Sequence, residues 1–271
     1  MSLPAPSPSA AALITGASAG IGLAISHELA GRGHQVILVA RRKDRLDALA
    51  AELHAQYGVR ADALGCDLAR AASRAQLPAR IAKLGLDVEI LINNAGFATN
   101  GPFHKANPER EIEQVRVLVE TPVALTSAFL PGMVRRGRGA ILNVASVAAM
   151  QPLPYSAGYS AAKAYVKTFS EALHEEGKRN GVTVSALCPG PVSTDFWKIA
   201  DWDMAGGSTE NPLSKVAWIT PQHAAREAIN GLDAGHRVIV PGVQVRAAMQ
   251  GARLVPNMIK LPIVERFSRG K

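Results

Sequence analysis

The stretch TGASAGIG, Thr15 to Gly22, joins an apolar run, AALITG (11–16), to a segment of helical period, Ile21 to Arg32. Gly16 permits a tight turn, and Gly20 and Gly22 let the backbone approach phosphates at a helix N-terminus. The spacing is GxxxGxG, not the GxGxxG of the commonest dinucleotide fingerprint. Such a turn alone also suits a purely structural role. Its place between a first strand and a first helix favours a dinucleotide site.

The same alternation continues outward. Strand-length apolar runs lie at 34–41, 62–68, 88–96, 139–146, 182–190 and 236–242. Helical patterns lie between them at 43–56, 73–83, 108–136, 156–180 and 221–232, with Pro122 and Pro131 straining the fourth helix. Continuous Val/Ile/Leu-rich strands separated by helices predict an α/β fold: a Rossmann-type, doubly wound, seven-stranded parallel sheet with helices on both faces. Ligands in such sheets bind at the carboxyl ends of the strands. One catalytic domain is expected over 11–242. Residues 1–10, rich in Pro, Ser and Ala, read as a disordered tail and not as a signal peptide. Residues 191–219 carry no clear period but contain Trp197, Trp202, Gly206, Gly207 and Pro212, which suggests a substrate lid. Residues 243–271 form a C-terminal extension.

The 271 residues are about half hydrophobic, enough for one well-buried core. No uninterrupted apolar run reaches about 18 residues, so no transmembrane helix is expected. Cys66 and Cys188 end apolar runs and read as reduced core residues of a cytoplasmic protein. Neither has a metal-spaced partner, so no metal site is expected. The net charge of +8 comes partly from clusters at 40–45, 135–138 and the C-terminal tail. A nucleic-acid partner is not expected: the basic residues have no interleaved aromatics and no recognition motif.

The second strand bears on which dinucleotide is bound. A carboxylate near its end would bind the ribose 2′-hydroxyl of NAD. Here the place is held by Ala40, Arg41 and Arg42. Guanidinium groups suit a 2′-phosphate through charge-assisted hydrogen bonds, so the expected cofactor is NADP(H). Arginines at a helix N-terminus also oppose its dipole, so a solvated surface role explains them poorly.

YSAGYSAAK, Tyr155 to Lys163, offers two tyrosines and one lysine. Residues four apart share a helix face, so Tyr159 pairs with Lys163. Tyr155 is about 12 Å further along the helix and reads as wall.

These motifs together resemble the short-chain dehydrogenase/reductases. TGxxxGxG at 15–22, Asp67 after the third strand, NNAG at 93–96, Ser146 after the fifth, YSAAK at 159–163 and PG at Pro189–Gly190 occur in that family's order over about residues 11–242. The likeness is nearest to single-domain carbonyl-reductase-like members. It implies that Ser18 and Ile21 contact cofactor phosphates and that Asp67 and Leu68 contact the adenine. Asn94, Ala95 and Gly96 would line the ribose and stabilise the sheet. Val192 and Thr194 would hold the nicotinamide carboxamide, and Lys163 also the nicotinamide ribose. The residues alone leave other roles open: Asn93 and Asn94 as partners for backbone groups, Asp67 as a turn cap.

The chemistry expected is hydride transfer between NADP(H) and a carbonyl/alcohol pair. Tyr159 supplies the proton, and Ser146 hydrogen-bonds the carbonyl or developing alkoxide. A lysine ammonium about 4 Å away contributes roughly 4 kcal/mol at an effective dielectric near 20, which brings the phenol toward about 7. In the family an asparagine of the long helix helps position a water that links the lysine to solvent. Aligning VRVLVETPVALT (115–126) on its LT places Leu118 there. A backbone carbonyl near Pro122 offers another holder for that water; without one, the relay is weak. Leu118 thus motivates a second reading, a weakly active NADPH-binding sensor or scaffold.

Ala148, Met150, Leu153, Phe97 and Trp197 suggest an apolar pocket for a hydrophobic ketone, aldehyde or alcohol. The extension is expected to pack on the core or on a neighbouring subunit, with peripheral contact to anionic lipid as the alternative. The resemblance implies a homodimer or homotetramer assembled through the long helices.

Overall fold

Runs of Val, Ile, Leu and Ala buried on both faces make the inner strands, half-buried ones the two edge strands, and short turns return the chain through helices. The structure is a computed structural model and describes residues 3–194, 196, 218–253 and 256–268. Among these, seven strands form one parallel sheet: β1 (Ala10–Thr15), β2 (Gln35–Ala40), β3 (Ala61–Gly65), β4 (Asp87–Asn93), β5 (Gly139–Val144), β6 (Val182–Leu187) and β7 (Val238–Ile239). Their order is β3-β2-β1-β4-β5-β6-β7. It reverses between β1 and β4, where Leu13 pairs with Leu91 and Ile14 with Ile92. That switch point opens a crevice at the carboxyl ends. The expected doubly wound α/β fold is the one observed.

Helices α1 (Gly20–Gly31), α2 (Lys43–Tyr57), α3 (Ala71–Ala82), α4 (Pro108–Val115), α5 (Thr121–Arg136), α6 (Ala157–Lys178) and α7 (Pro221–Asp233) cover the two faces. One core layer joins Ile25 and Leu29 of α1 to Ala228, Ile229 and Leu232 of α7, over Ile14, Leu38 and Leu142. The other joins Leu77, Ile81, Leu125 and Met133 to Leu13, Ile37, Leu91 and Ile141.

The single helix expected over 108–136 carries a π-helical segment, Arg116–Glu120, between α4 and α5. Pro122 lacks an N–H, so it cannot pair with the carbonyl of Leu118 in the α register. The turn widens, and the Thr121 N–H bonds the carbonyl of Arg116 instead. Within Pro108–Arg136 one 18-residue window, of mean hydropathy 1.5, is apolar enough to cross a membrane by length and composition alone. Leu125 and Met133 of this segment pack into the core, as those of a globular-domain helix do.

One boundary is corrected. From Leu3 on, the N-terminal segment is placed and not disordered. The Leu3 N–H donates to Asp233 Oδ1 at 2.8 Å, Leu3 packs on the α1/α7 core, and Pro4 is buried. The prolines that suggest disorder also lower the entropy lost on fixing the chain. The extension forms α8 (Val243–Arg253) and α9 (Asn257–Ser268). It is tied to the domain: Val245 is buried against Gly190, and Glu265 accepts a hydrogen bond from Tyr155 at 3.2 Å. The suggested lid falls on residues 195 and 197–217, outside the described residues, except at its two ends.

The turns entering β5 and β6 meet at Gly137 and Gly181, both at positive φ. A Cβ on Gly181 would stand 2.0 Å from the Gly137 carbonyl oxygen. Gly181→Ala is therefore expected to lower stability in urea denaturation by about 2–4 kcal/mol; an unchanged midpoint would contradict this packing.

Candidate active site

The Gly-rich turn is held by a buried knot. Thr15, at the end of β1, accepts from the backbone N–H groups of Asn94 (2.9 Å) and Ala95 (3.0 Å) through its hydroxyl oxygen. The same hydroxyl donates to the carbonyl of Ile92 at 3.2 Å. The Asn94 amide donates to the Thr15 carbonyl at 2.9 Å. The turn is so close to Asn94 that a Cβ on Gly22 would lie 2.4 Å from its Nδ2, and one on Gly16 2.8 Å. Gly16 and Gly20 both have positive φ. Asn94 is thus the clamp of the turn as well as a lining residue of the cleft. The cap residue of α1, Ala19, has no side-chain acceptor, so the first N–H groups of α1 face the cleft. This is a cradle for an anion.

The cleft measures about 1080 Å³. It is lined by every expected cofactor residue: Gly16, Ser18, Gly20, Ile21, Arg41, Arg42, Asp67, Leu68, Asn94, Ala95, Gly96, Pro189, Gly190, Val192 and Thr194, with Gly22 just beneath the turn. Arg42 Nη2 donates to Ser18 Oγ at 3.1 Å, so a guanidinium and a hydroxyl converge beside the turn. Asp67 also takes the capping role the residues left open, since its Oδ1 accepts from the N–H of Ala69 at 3.1 Å. A dinucleotide with an extra ribose phosphate fits this donor set: uncapped N–H groups, a Cβ-free approach and two exposed guanidinium groups at one rim.

Ser146, Tyr159 and Lys163 meet at the opposite wall, all less than a tenth exposed. Ser146 caps the short 3₁₀ turn Val147–Met150, accepting from the Ala148 N–H at 3.1 Å. Tyr159 and Lys163 lie one turn apart in α6. The lysine ammonium donates to the Val144 carbonyl at 2.6 Å and stands 5.7 Å from the Tyr159 ring centroid. Burial pushes the Tyr159 phenol up to about 12, against the pull of a hydrogen bond with Ser146. Burial brings Lys163 down to about 8. The expectation of a phenol near 7 is corrected. The ammonium is committed to a carbonyl, and the loss of water around both groups outweighs their attraction.

Leu118 is buried beside Gly96 and the Lys163 ammonium: a Cβ on Gly96 would lie 2.7 Å from Leu118 Cδ2 and 3.8 Å from Lys163 Nζ. Of the expected substrate wall, Phe97 lines the cleft. Ala148 and Leu153 cluster with Tyr159, Leu118 and Phe196. Met150 packs with Ala145 and Cys188 instead, and Trp197 lies outside the described residues. Tyr155 has φ 65, the one non-glycine residue at positive φ among those described. It stands at the helix entry and lines a smaller pocket with Thr99, Phe103 and Ser156, not the main cleft, so the structure does not place it as wall there.

Residues missed from sequence include Phe196, whose ring lies 5.9 Å from that of Tyr159, and Trp218, which lines the cleft. Also missed is a buried relay behind the strand ends, in which Asn93 donates to Asn143 at 2.8 Å and Asn143 to Ser170 at 2.9 Å. The asparagine inside the apolar run GAILNVAS was its only signal. Among the described residues no cluster of His, Cys, Asp and Glu is arranged to hold a metal.

Several known proteins resemble this chain. The family model described as short chain dehydrogenase matches residues 10–204. A very-long-chain 3-oxoacyl-CoA reductase of Anas platyrhynchos is 37% identical over 195 residues, 70% of this chain and 62% of the relative. The chain thus spans less than two thirds of the length of the curated relatives it matches first. A short-chain dehydrogenase from Sphingobium yanoikuyae, solved in complex with NADPH, superposes with a TM-score of 0.79 at 35% identity, covering 90% of this chain and 94% of that one. The bulky-bulky ketone specific alcohol dehydrogenase from Comamonas testosteroni gives 0.75 at 28% identity, covering 92% and 93%.

The buried lysine has a consequence for stability. Its pKa is lowered on folding, so at neutral pH the folded state bears the cost of a buried charge, and the cost fades as pH rises from about 8 to the unfolded value of 10.5. Lys163→Met is expected to melt higher than wild type at pH 7, with the difference shrinking toward pH 10. A constant difference across that range would contradict the burial argument.

Proposed function

The chain belongs to the short-chain dehydrogenase family, and from that premise we propose that it transfers a hydride between NADP(H) and a hydrophobic ketone, aldehyde or secondary alcohol, with Tyr159 as general acid–base. The protein is an NADP(H)-dependent oxidoreductase of that family. One observation carries the finer reading: Ser146, Tyr159 and Lys163 are buried together on a cleft whose far rim bears Arg41 and Arg42 and whose nearer walls include Phe97, Val117, Phe196 and Trp218. Two relatives named for ketone substrates support the substrate class.

When bound, NADPH supplies the hydride. Tyr159 stays protonated at neutral pH and donates to the carbonyl oxygen, while Ser146 hydrogen-bonds that oxygen as charge develops. Lys163, still mostly charged at pH 7, stabilises the phenolate left behind. Proton resupply needs a polar group near the lysine, and the side chain of Leu118 offers none. The carbonyl of Leu118, which Pro122 cannot pair, is the group we assign to it. This favours an active enzyme over the weakly active sensor that Leu118 otherwise motivates.

The setting we propose is cytoplasmic and reducing, supported by the buried free thiols Cys66 and Cys188. We also propose a homo-oligomer through the long helices, which expose Ile112, Val115, Val134 and Tyr165.

Nicotinamide absorbance, followed over a panel of hydrophobic ketones and aldehydes, tests the activity. Tyr159→Phe is expected to lower kcat by roughly 10²-fold or more with NADPH affinity unchanged; near-full residual turnover would mean another acid. Arg41→Ala with Arg42→Ala is expected to weaken NADPH binding far more than NADH binding, and equal losses would remove the 2′-phosphate assignment. Leu118→Asn is expected to leave turnover within about two-fold if the backbone carbonyl serves the relay; a several-fold rise would favour the weakened relay.

A further inference from the structure

Arg41 already has a partner across the cleft. Its Nη1 lies 3.8 Å from Glu113 Oε1 in α4. The other carboxylate oxygen of Glu113 accepts from Arg110 Nη1 at 2.6 Å. The Arg110 guanidinium sits over the Phe97 ring, 3.7 Å from its centroid. Glu113, Arg41 and Phe97 all line the same cleft. A carboxylate is therefore fixed at the rim where the ribose phosphate would lie.

The two limbs of this bridge differ. Arg110 and Glu113 are at hydrogen-bonding distance and three residues apart on one helix, backed by an aromatic ring. Arg41 and Glu113 are beyond the 2.7–2.9 Å of a charge-assisted hydrogen bond, and the Arg41 side chain is 67% exposed. Such a pair is weak and screened. A phosphate monoester, with roughly −1.5 to −2 charge, takes Arg41 from a carboxylate of charge −1. Glu113 cannot follow, because Arg110 holds it, so it remains facing the dianion.

We propose that Glu113 is a specificity-determining residue that opposes the 2′-phosphate: it competes for Arg41 and repels the phosphate, so it lowers NADPH affinity without touching NADH affinity. The inference rests on the assignment of Arg41 to the 2′-phosphate. Glu113 acts through Arg41 and through its field, as a positioning residue.

The test is a nicotinamide-fluorescence titration of the full chain with NADPH and with NADH, at low and at high salt. In Glu113→Gln, NADPH is expected to bind about five-fold tighter at low ionic strength, with the gain shrinking in salt and NADH unchanged within two-fold. Glu113→Ala, which removes the hydrogen bond to Arg110 as well as the charge, is expected to show the same sign. In an Arg41→Ala background, Glu113→Gln is expected to recover much less. Unchanged or weaker NADPH binding in both Glu113 variants, while Arg41→Ala still weakens NADPH selectively, would overturn the inference and leave the cofactor assignment standing. If Arg41→Ala weakens NADPH and NADH alike, the cofactor assignment fails, and the inference falls with it.

Discussion

The knot between Thr15 and Asn94 is the constraint on which the site depends. It joins the carboxyl ends of β1 and β4, the two strands at which the sheet reverses its order. A parallel sheet must splay its connections apart at such a point, and the exposed strand ends would otherwise carry unsatisfied backbone groups. One threonine hydroxyl and one asparagine amide satisfy four of them and draw the Gly-rich turn against β4. That closeness is what forbids a side chain at Gly16 and Gly22, and it aims the uncapped start of α1 into the cleft. Phosphate binding is thus a by-product of how two strand ends are tied.

The fold was legible because its signal is repetitive. Each strand is a short apolar run, each helix a longer periodic one, and the core needs both. The site was legible to the extent that its residues sit at fixed places on those elements. Gly16 to Gly22 at the first turn, Ser146 past the end of β5, and Tyr159 and Lys163 one turn apart on α6 all follow from local spacing. What local spacing does not hold was missed. Glu113 and Phe97 meet Arg41 and Arg110 only through tertiary packing, and Asn143 and Ser170 look like ordinary residues of a strand and a helix. The N-terminal residues misled because composition speaks to a chain alone, whereas Leu3 is held by α7 some 230 positions later.

The electrostatic expectation failed for an instructive reason. A Coulomb estimate at 4 Å counts the attraction of Lys163 for a phenolate and little else. Burial acts on both groups at once. It raises the phenol and lowers the ammonium, so two pKa values that start close together, at 10.0 and 10.5, move apart, to about 12 and about 8. The phenol of Tyr159 then stays protonated near neutral pH, as the proton-donor role we propose for it needs, and the lysine charge is adjustable there.

Proline and leucine in the long helix make one argument from two departures. Taken separately, Pro122 is a flaw in a helix and Leu118 is a missing polar side chain. Taken together they are four residues apart, the spacing at which a helical N–H reaches a carbonyl. The proline removes that N–H from the carbonyl of Leu118, and the backbone answers with a π turn over Arg116–Glu120. The carbonyl so left is the one we propose for the place where side-chain polarity was lost; the side chain of Leu118 itself lies beside Gly96 and the ammonium of Lys163. A motif comparison that matches side chains alone records a defect at this place; the accounting of backbone donors and acceptors points to the replacement we propose.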